Sequence, residues 1–169
     1  TLMLLPSRTE GEMLQRFVRR FIDFYNVDVT KRRRVFIDRS GETKRGKHVS
    51  NMGDVIAEMP EIEPVKFGGL SMKEQIVTGI QCDILIGVNG SGLTNSLFMA
   101  EGTTLVNLVP ENIFVPKSNI AGAHCGIHGV KYQELIAFLL SKDDITLRVD
   151  VKELTQLLKI IGASNSSNK

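Results

Sequence analysis

This sequence of 169 residues lacks the features that identify disulfide-rich, nucleic-acid-binding and membrane-spanning proteins. It has only two cysteines, Cys82 and Cys125, which excludes a disulfide framework and a four-cysteine zinc site but leaves one bridge possible. The net charge of +2 is too small to predict a nucleic-acid partner. No apolar run approaches the ~18–20 residues of a membrane-spanning helix. What remains is an ordinary globular chain, long enough to bury a core without metals or disulfides.

Short apolar runs alternate with helical patterns along most of the chain, which predicts an α/β fold. The pattern predicts a Rossmann-like parallel sheet with helices on both faces, because each strand is followed by a helix that must cross back over the sheet. We expect one domain over residues 1–162 and a disordered tail over 163–169. The predicted strands are "RVFIDR", "EIEPVKF", "DILIGV", "TTLVNLV" and "ITLRVD", and the predicted helices cover residues 7–25, 52–59, 71–80, 92–100, 131–141 and 151–161. The three-and-four apolar spacing of the first helix predicts a core-facing helix with one buried stripe. Asn51 is the expected cap of the second helix, and Ser71 with Glu74 predicts a capping box for the third.

Right-handed crossovers give these five strands the order 2-1-3-4-5, in which the chain changes direction between strands one and three. Ligands of such sheets bind at the carboxyl ends of the strands that flank this switch point. Two loops leave those ends, a basic loop over Arg39–Asn51 and a glycine-rich loop over Val88–Asn95. We therefore predict that the two loops form one site.

The glycine-rich loop has the composition of a phosphate-binding turn. Gly87, Gly90 and Gly92 allow a positive φ and a close backbone approach, and the predicted helix that follows offers free N–H groups. Neutral hydrogen-bonding groups come from Ser91, Thr94 and Asn95. The alternative is a tight turn that needs glycine for its geometry alone. "GVNGSG" fits neither the Walker loop nor the dinucleotide fingerprint, which disfavours NTPases and dehydrogenases.

Residues 84–110, "ILIGVNGSGLTNSLFMAEGTTLVNLVP", resemble the signature of glycosyltransferase family 61, "LIGxHGAGLTNxLFLPxGxxxVExxP". The likeness extends over about residues 32–158. It implies the carboxyl-terminal, donor-binding half of a GT-B enzyme that transfers a sugar such as GlcNAc or xylose from a UDP-sugar to a hydroxyl of a protein or glycan. It also implies an amino-terminal acceptor domain outside this chain, a location in the lumen of the endoplasmic reticulum or Golgi, and no covalently bound cofactor. The first residue is Thr1 rather than Met, as expected for part of a longer protein.

The resemblance assigns donor binding to two groups of residues. In the basic loop these are Arg39, Lys47 and Asn51, and in the glycine-rich loop they are Asn89, Gly90, Ser91, Gly92, Leu93, Thr94 and Asn95. Lys47 replaces an arginine, which keeps the charge but loses the two-pronged grip on phosphate. Asn89 replaces the signature histidine and cannot carry a proton at neutral pH. Two interpretations follow: an active transferase in which this position only binds, or a non-catalytic nucleotide-sugar-binding module with a degenerate site.

Three further candidates lie outside these loops. Glu111 follows the fourth predicted strand, and by position alone we expect it to contact ribose or sugar hydroxyls. His124, Cys125 and His128 resemble a zinc set without a fourth ligand, so we predict no metal site there and a loop that lines the donor pocket instead. We assign no catalytic base in this chain. Metal dependence stays open, because the sequence contains no Asp-x-Asp motif.

Overall fold

A computed structural model describes residues 8–41, 47–111, 125, 129–141 and 146–166. The described residues form one mixed sheet of seven strands with helices packed against it. In chain order the elements are α1 (Arg8–Tyr25), β1 (Arg33–Ile37), β2 (His48–Val49), α2 (Met52–Glu58), β3 (Ile62–Val65), a 3₁₀ turn (Phe67–Gly69), α3 (Met72–Gln81), β4 (Cys82–Val88), a 3₁₀ helix (Ser91–Phe98), β5 (Thr104–Pro110), β6 (Lys131–Ser141), β7 (Thr146–Arg148) and α4 (Val151–Ser166).

The strand order is β2-β7-β6-β5-β4-β1-β3. The strands β3, β1, β4, β5 and β6 run parallel, whereas β7 is antiparallel to β6 and β2 is parallel to β7. The first four predicted strands correspond to β1, β3, β4 and β5, and their predicted order 2-1-3-4 is confirmed. The fifth predicted strand is β7, which lies one position further out because β6 intervenes.

The prediction of a helix over residues 131–141 was wrong, because this segment is the strand β6. It pairs in parallel with β5 from Thr104↔Lys131 to Pro110↔Ala137. The run Leu135–Leu140 is apolar at every position, so its pattern fits a buried helix as well as a strand with apolar side chains on both faces. Two flanking strands that supply backbone hydrogen bonds decide in favour of the strand.

Two hydrophobic clusters cover the two faces of the sheet, as predicted for helices on both sides. One cluster joins the sheet to α2 and α4 and includes Val55, Leu154 and Leu158. The other contains Leu93 of the 3₁₀ helix and Phe67 of the 3₁₀ turn. Helix α3 begins with the predicted capping box, in which the Ser71 hydroxyl accepts from the Glu74 N–H and the Ser71 N–H donates to the Glu74 carboxylate at 2.8 Å.

Helix α1 differs from the prediction of a core-facing helix with one buried stripe. Its ring contact with the 3₁₀ helix joins Phe17 and Phe98, with ring centroids 6.5 Å apart. Phe17 nevertheless remains 47% exposed and Phe24 79% exposed. The three-and-four spacing therefore identified a helix with an apolar face correctly, but it could not tell how much of that face the described residues cover.

At the other end, helix α4 continues through Ser166 and so includes the first four residues of the expected tail, and 167–169 lie outside the described residues. No helix within the described part of the chain is long and apolar enough to cross a membrane.

Candidate functional site at the switch point

The two predicted loops lie side by side at the carboxyl ends of β1 and β4. These strands pair directly, with Phe36 opposite Ile86. From this point the chain passes to β3 on one side of the pair and to β5 on the other, so the direction reverses between them. The described parts of the basic loop, Arg39–Gly41 and Lys47–Asn51, therefore meet the glycine-rich loop where such sheets hold ligands.

Lys47 contacts the glycine-rich loop directly. Its Nζ donates a hydrogen bond of 2.8 Å to the carbonyl oxygen of Asn89. Lys47 immediately precedes β2, which pairs with β7 on the side of the sheet beyond β5 and β6. The sheet therefore curls enough to bring the residue before β2 back against the loop that leaves β4.

Arg39 lies against the same stretch of backbone. Its Nη1 is 3.6 Å from the position that a Cβ on Gly90 would occupy. Two cationic side chains thus converge on Asn89 and Gly90, one from each described part of the basic loop.

The electrostatics of this cluster favour an anion. Burial lowers the pKa of Lys47 below its ordinary value, and the nearby charge of Arg39 lowers it further. The Asp38 carboxylate is engaged elsewhere, since it accepts from the Ser40 N–H and hydroxyl at 2.8 and 3.0 Å and lies 3.8 Å from the Lys66 amine. No carboxylate of the described residues forms an ion pair with Lys47. The site therefore concentrates positive charge that a phosphate group would neutralise.

The glycines of this loop have a different purpose from the one predicted. None of the three adopts a positive φ in the left-handed region, where the described glycines are Gly41, Gly102 and Gly129. A Cβ on Gly87 would lie 2.9 Å from the Leu93 side chain and 3.0 Å from that of Ile37, so glycine is needed there for close packing. Gly90 is extended, with φ 165°, and a Cβ there would meet Arg39 Nη1 and the Val88 carbonyl oxygen at ordinary contact distances of 3.6 and 3.7 Å.

A 3₁₀ helix follows the loop instead of the α-helix predicted over residues 92–100. Its first residue, Ser91, is exposed, and Gly90 before it has no side chain to cap the first N–H groups. The side chain of Leu93 is fully buried, and the Asn95 amide donates to the Gly92 carbonyl at 3.0 Å. Leu93 and Asn95 therefore shape the loop, whereas Ser91 and Thr94 are exposed.

Asn51 is committed to another part of the fold. Its amide donates to the Val149 carbonyl at 2.9 Å and its Oδ1 accepts from the Val149 N–H at 3.0 Å. It occupies the first position before α2, but its side chain does not cap that helix as we had predicted. The buried Asn51 amide thus ties the start of α2 to the segment that joins β7 and α4.

Asn89 and Glu111 are both held by their backbones. The Asn89 N–H donates to the Leu108 carbonyl at 3.1 Å, and the Glu111 N–H donates to the Ala137 carbonyl at 2.8 Å. Within the described part of the chain, neither side chain forms a hydrogen bond, and that of Glu111 is exposed. Since side chains alternate along strands, both residues belong to the face of the sheet that carries Leu93.

Sequence reasoning missed two features next to this site. Gly79 of α3 packs so closely on the 3₁₀ helix that an added Cβ would lie 2.9 Å from the Asn95 carbonyl oxygen. A glycine inside a helical pattern was the available signal. The second feature is a polar chain of Asn107, Tyr132 and Glu134, which a helix prediction for residues 131–141 could not reveal.

No group of three potential metal ligands occurs among the residues that the structure describes. His124 and His128, the two histidines of the zinc alternative, lie outside those residues. Cys82 and Cys125 are both buried free thiols.

These observations define a class: a Rossmann-like α/β domain in which two basic side chains lie against a glycine-rich loop at the switch point of the sheet. The particular family follows from sequence comparison, since the Glycosyltransferase 61 family model matches residues 4–106. The chain belongs to this family, which supports a glycosyltransferase role in general. The matched span includes Arg39, Lys47, Asn51 and the whole glycine-rich loop and ends within β5. No curated protein matches the chain.

Proposed function

We propose that this chain binds a UDP-sugar such as UDP-GlcNAc or UDP-xylose and forms the donor half of a GT-B transferase acting on a hydroxyl of a protein or glycan. The observation that carries the proposal is the convergence of Lys47 and Arg39 on the Asn89–Gly90 backbone at the switch point. Family membership supports the reaction class, and the two basic side chains support binding of the anionic part of the donor at this point. The acceptor domain is expected outside this chain, in the lumen of the secretory pathway.

In the proposed reaction, the acceptor hydroxyl attacks the anomeric carbon of the sugar as the bond from that carbon to the diphosphate oxygen breaks. The diphosphate leaves with the electron pair of that bond, and a base takes the hydroxyl proton. Lys47, Arg39 and the first N–H groups of the 3₁₀ helix neutralise the charge that develops on the leaving oxygen. Because Asp38 is engaged by Ser40, we expect the base to come from the acceptor domain.

Calorimetry of the purified chain with UDP, UMP and UDP-GlcNAc tests this proposal. We expect UDP to bind more tightly than UMP, because the site is built for a diphosphate. Lys47→Ala and Arg39→Ala should each weaken UDP binding about tenfold, the effect of one hydrogen bond to a charged group. Lys159→Ala is a matched control, since it removes the same charge from an exposed position on α4. No heat with millimolar UDP would refute the proposal.

Asn89 specifically favours the second candidate, a module that binds a nucleotide sugar without turning it over. Its amide cannot transfer a proton, whereas the signature histidine can. In the full-length protein, this alternative predicts UDP-sugar binding without UDP release and a gain of release in Asn89→His. If wild-type protein already releases UDP, and Asn89→His leaves the rate unchanged, position 89 has a binding role and the transferase interpretation stands.

A further inference from the structure

The sequence contains a single Asn-Gly pair, Asn89–Gly90, and the fold brings it to the switch point. Asparagine before glycine is prone to deamidation, because the glycine nitrogen can attack the side-chain amide carbon with no Cβ to hinder it. Both residues are partly exposed and lie at a bend of the backbone. Within the described part of the chain, the Asn89 side chain forms no hydrogen bond and no backbone hydrogen bond uses the Gly90 N–H. Both reacting groups are therefore accessible.

Lys47 contacts the peptide group that contains the attacking nitrogen. Its Nζ donates at 2.8 Å to the Asn89 carbonyl oxygen, and this carbonyl shares a peptide bond with the Gly90 nitrogen. When that nitrogen loses its proton, the negative charge spreads onto the oxygen by resonance. An ammonium group hydrogen-bonded to the oxygen stabilises this charge, and Arg39 beside Gly90 adds to the positive field. The contact therefore favours the anionic nucleophile that deamidation requires.

Asn95 provides an internal reference within the same loop and 3₁₀ helix. Its side chain donates to the Gly92 carbonyl at 3.0 Å, and both Asn95 and the following Ser96 are buried. The amide is thus held in a hydrogen bond, and the Ser96 Cβ hinders the nitrogen that would attack it. The fold protects Asn95 from the reaction to which it exposes Asn89.

We propose that Asn89–Gly90 is a self-modifying site, which deamidates in the folded chain and thereby blocks phosphate binding at the switch point. A bond forms between the Gly90 nitrogen and the Asn89 Cγ, and the bond from Cγ to Nδ2 breaks. The leaving nitrogen takes the proton of the Gly90 N–H and departs as ammonia. Water then cleaves one of the two ring C–N bonds of the resulting succinimide, which leaves aspartate or isoaspartate at position 89.

The new carboxylate lies beside two cations. It belongs to the residue whose carbonyl Lys47 contacts, and it precedes Gly90, against which Arg39 lies. Attraction to these side chains offsets the positive charge that a diphosphate would use, and the carboxylate repels the diphosphate directly. The loss of donor binding rests on the proposed function, whereas the deamidation itself does not.

Peptide mass spectrometry of the purified chain, incubated at neutral pH, tests the modification. We expect position 89 to convert to aspartate and isoaspartate about tenfold faster in the folded chain than in a synthetic peptide of residues 86–93, and Asn95 to stay unchanged. Lys47→Ala should remove this acceleration, whereas Lys159→Ala, which removes the same charge from an exposed position on α4, should not. Conversion no faster in the folded chain than in the peptide would overturn the inference.

Gly90→Ala is the variant that hinders the reaction and keeps the fold. Gly90 is extended, and the nearest contact of an added Cβ would be an ordinary one at 3.6 Å. Because that Cβ hinders ring closure, the variant should convert at least about tenfold more slowly than wild type. Calorimetry should then show that incubation lowers the UDP affinity of wild type, while incubated Gly90→Ala keeps the affinity of its own fresh sample.

Asn89→Asp introduces the charge without incubation and should weaken UDP binding at least about tenfold. If it binds UDP as tightly as wild type, the blocking role is refuted. If the wild-type chain binds no UDP, the proposed function and the blocking role fail together, while mass spectrometry still decides the deamidation.

Discussion

Gly79 is the residue whose replacement most directly tests how the scaffold holds the site. In the middle of α3, alanine is favoured over glycine by about 1 kcal/mol. The added Cβ, however, would lie 2.9 Å from both the Asn95 carbonyl oxygen and the Phe98 Cβ. The contact with a backbone atom cannot be relieved by a rotamer change, so α3 and the 3₁₀ helix must separate, at the cost of about 1–3 kcal/mol that is typical of overpacking.

Gly162→Ala on α4 is the matched comparison, because a Cβ there meets nothing within 4 Å. The helical gain is common to both variants, so the difference between them isolates the packing cost. At about 2–4 °C per kcal/mol for a chain of this size, Gly79→Ala should melt about 2–12 °C below Gly162→Ala. Its UDP affinity should fall as well, since the displaced 3₁₀ helix begins at the site. Equal melting temperatures for the two variants would refute the close packing of α3 on the 3₁₀ helix.

Three other predictions follow from individual contacts. Bound diphosphate should raise the depressed pKa of Lys47, so UDP affinity should fall as the pH rises past the pKa that Lys47 has in the free chain. Between the free and bound pKa values, calorimetry in buffers of different protonation enthalpy should show that UDP binding takes up a proton. Lys47→Ala should abolish this proton uptake. Asn51→Ala leaves the buried N–H and carbonyl of Val149 without their hydrogen-bond partner. The free energy of unfolding measured in urea should therefore fall by about 1–3 kcal/mol, while the folded protein keeps its UDP affinity. A loss of affinity without a loss of stability would instead indicate that Asn51 binds the ligand. Burial raises the pKa of Cys82 to about 12 and that of Cys125 to about 11. A thiol reagent at pH 8 should therefore modify neither thiol until the chain unfolds. Rapid labelling of the folded chain would contradict this burial.

The parallel part of the sheet could be predicted because each strand is an apolar run with turn residues at both ends. Cys82–Val88 has only one residue that is not fully buried, Asp83, so its composition suits a central strand and excludes an edge strand. β6 has the same kind of run, but its length of 11 residues and the absence of alternation made it indistinguishable from a helix. The hydrogen bonds that decide such cases come from β5 and β7, which are remote in sequence.

The meeting of the two loops could also be predicted, but the contacts that each of their residues makes could not. Topology alone brought the basic and glycine-rich loops together, since the switch point follows from strand order. Whether an asparagine such as Asn51 faces a ligand or a backbone depends on Val149, which is 98 residues away. Gly87 likewise needs the positions of Ile37 and Leu93 to be understood, and no local pattern contains them.

The lysine at position 47 makes physical sense once its partner is known. An ammonium group has three N–H donors, and the Asn89 carbonyl uses one of them, which leaves two for other partners. Arg39, which lies beside Gly90, has the planar guanidinium that a lysine lacks. Compared with the family signature, which has an arginine at position 47 as well, this chain has one guanidinium fewer. The lysine at that position keeps the positive charge but cannot form a bidentate contact. Asn89 is different, because its carbonyl anchors Lys47 through the backbone whatever the side chain is. Asparagine in place of the signature histidine therefore keeps this Lys47 contact and changes only the side chain at position 89, so under the proposed function Asn89→His tests turnover separately from binding.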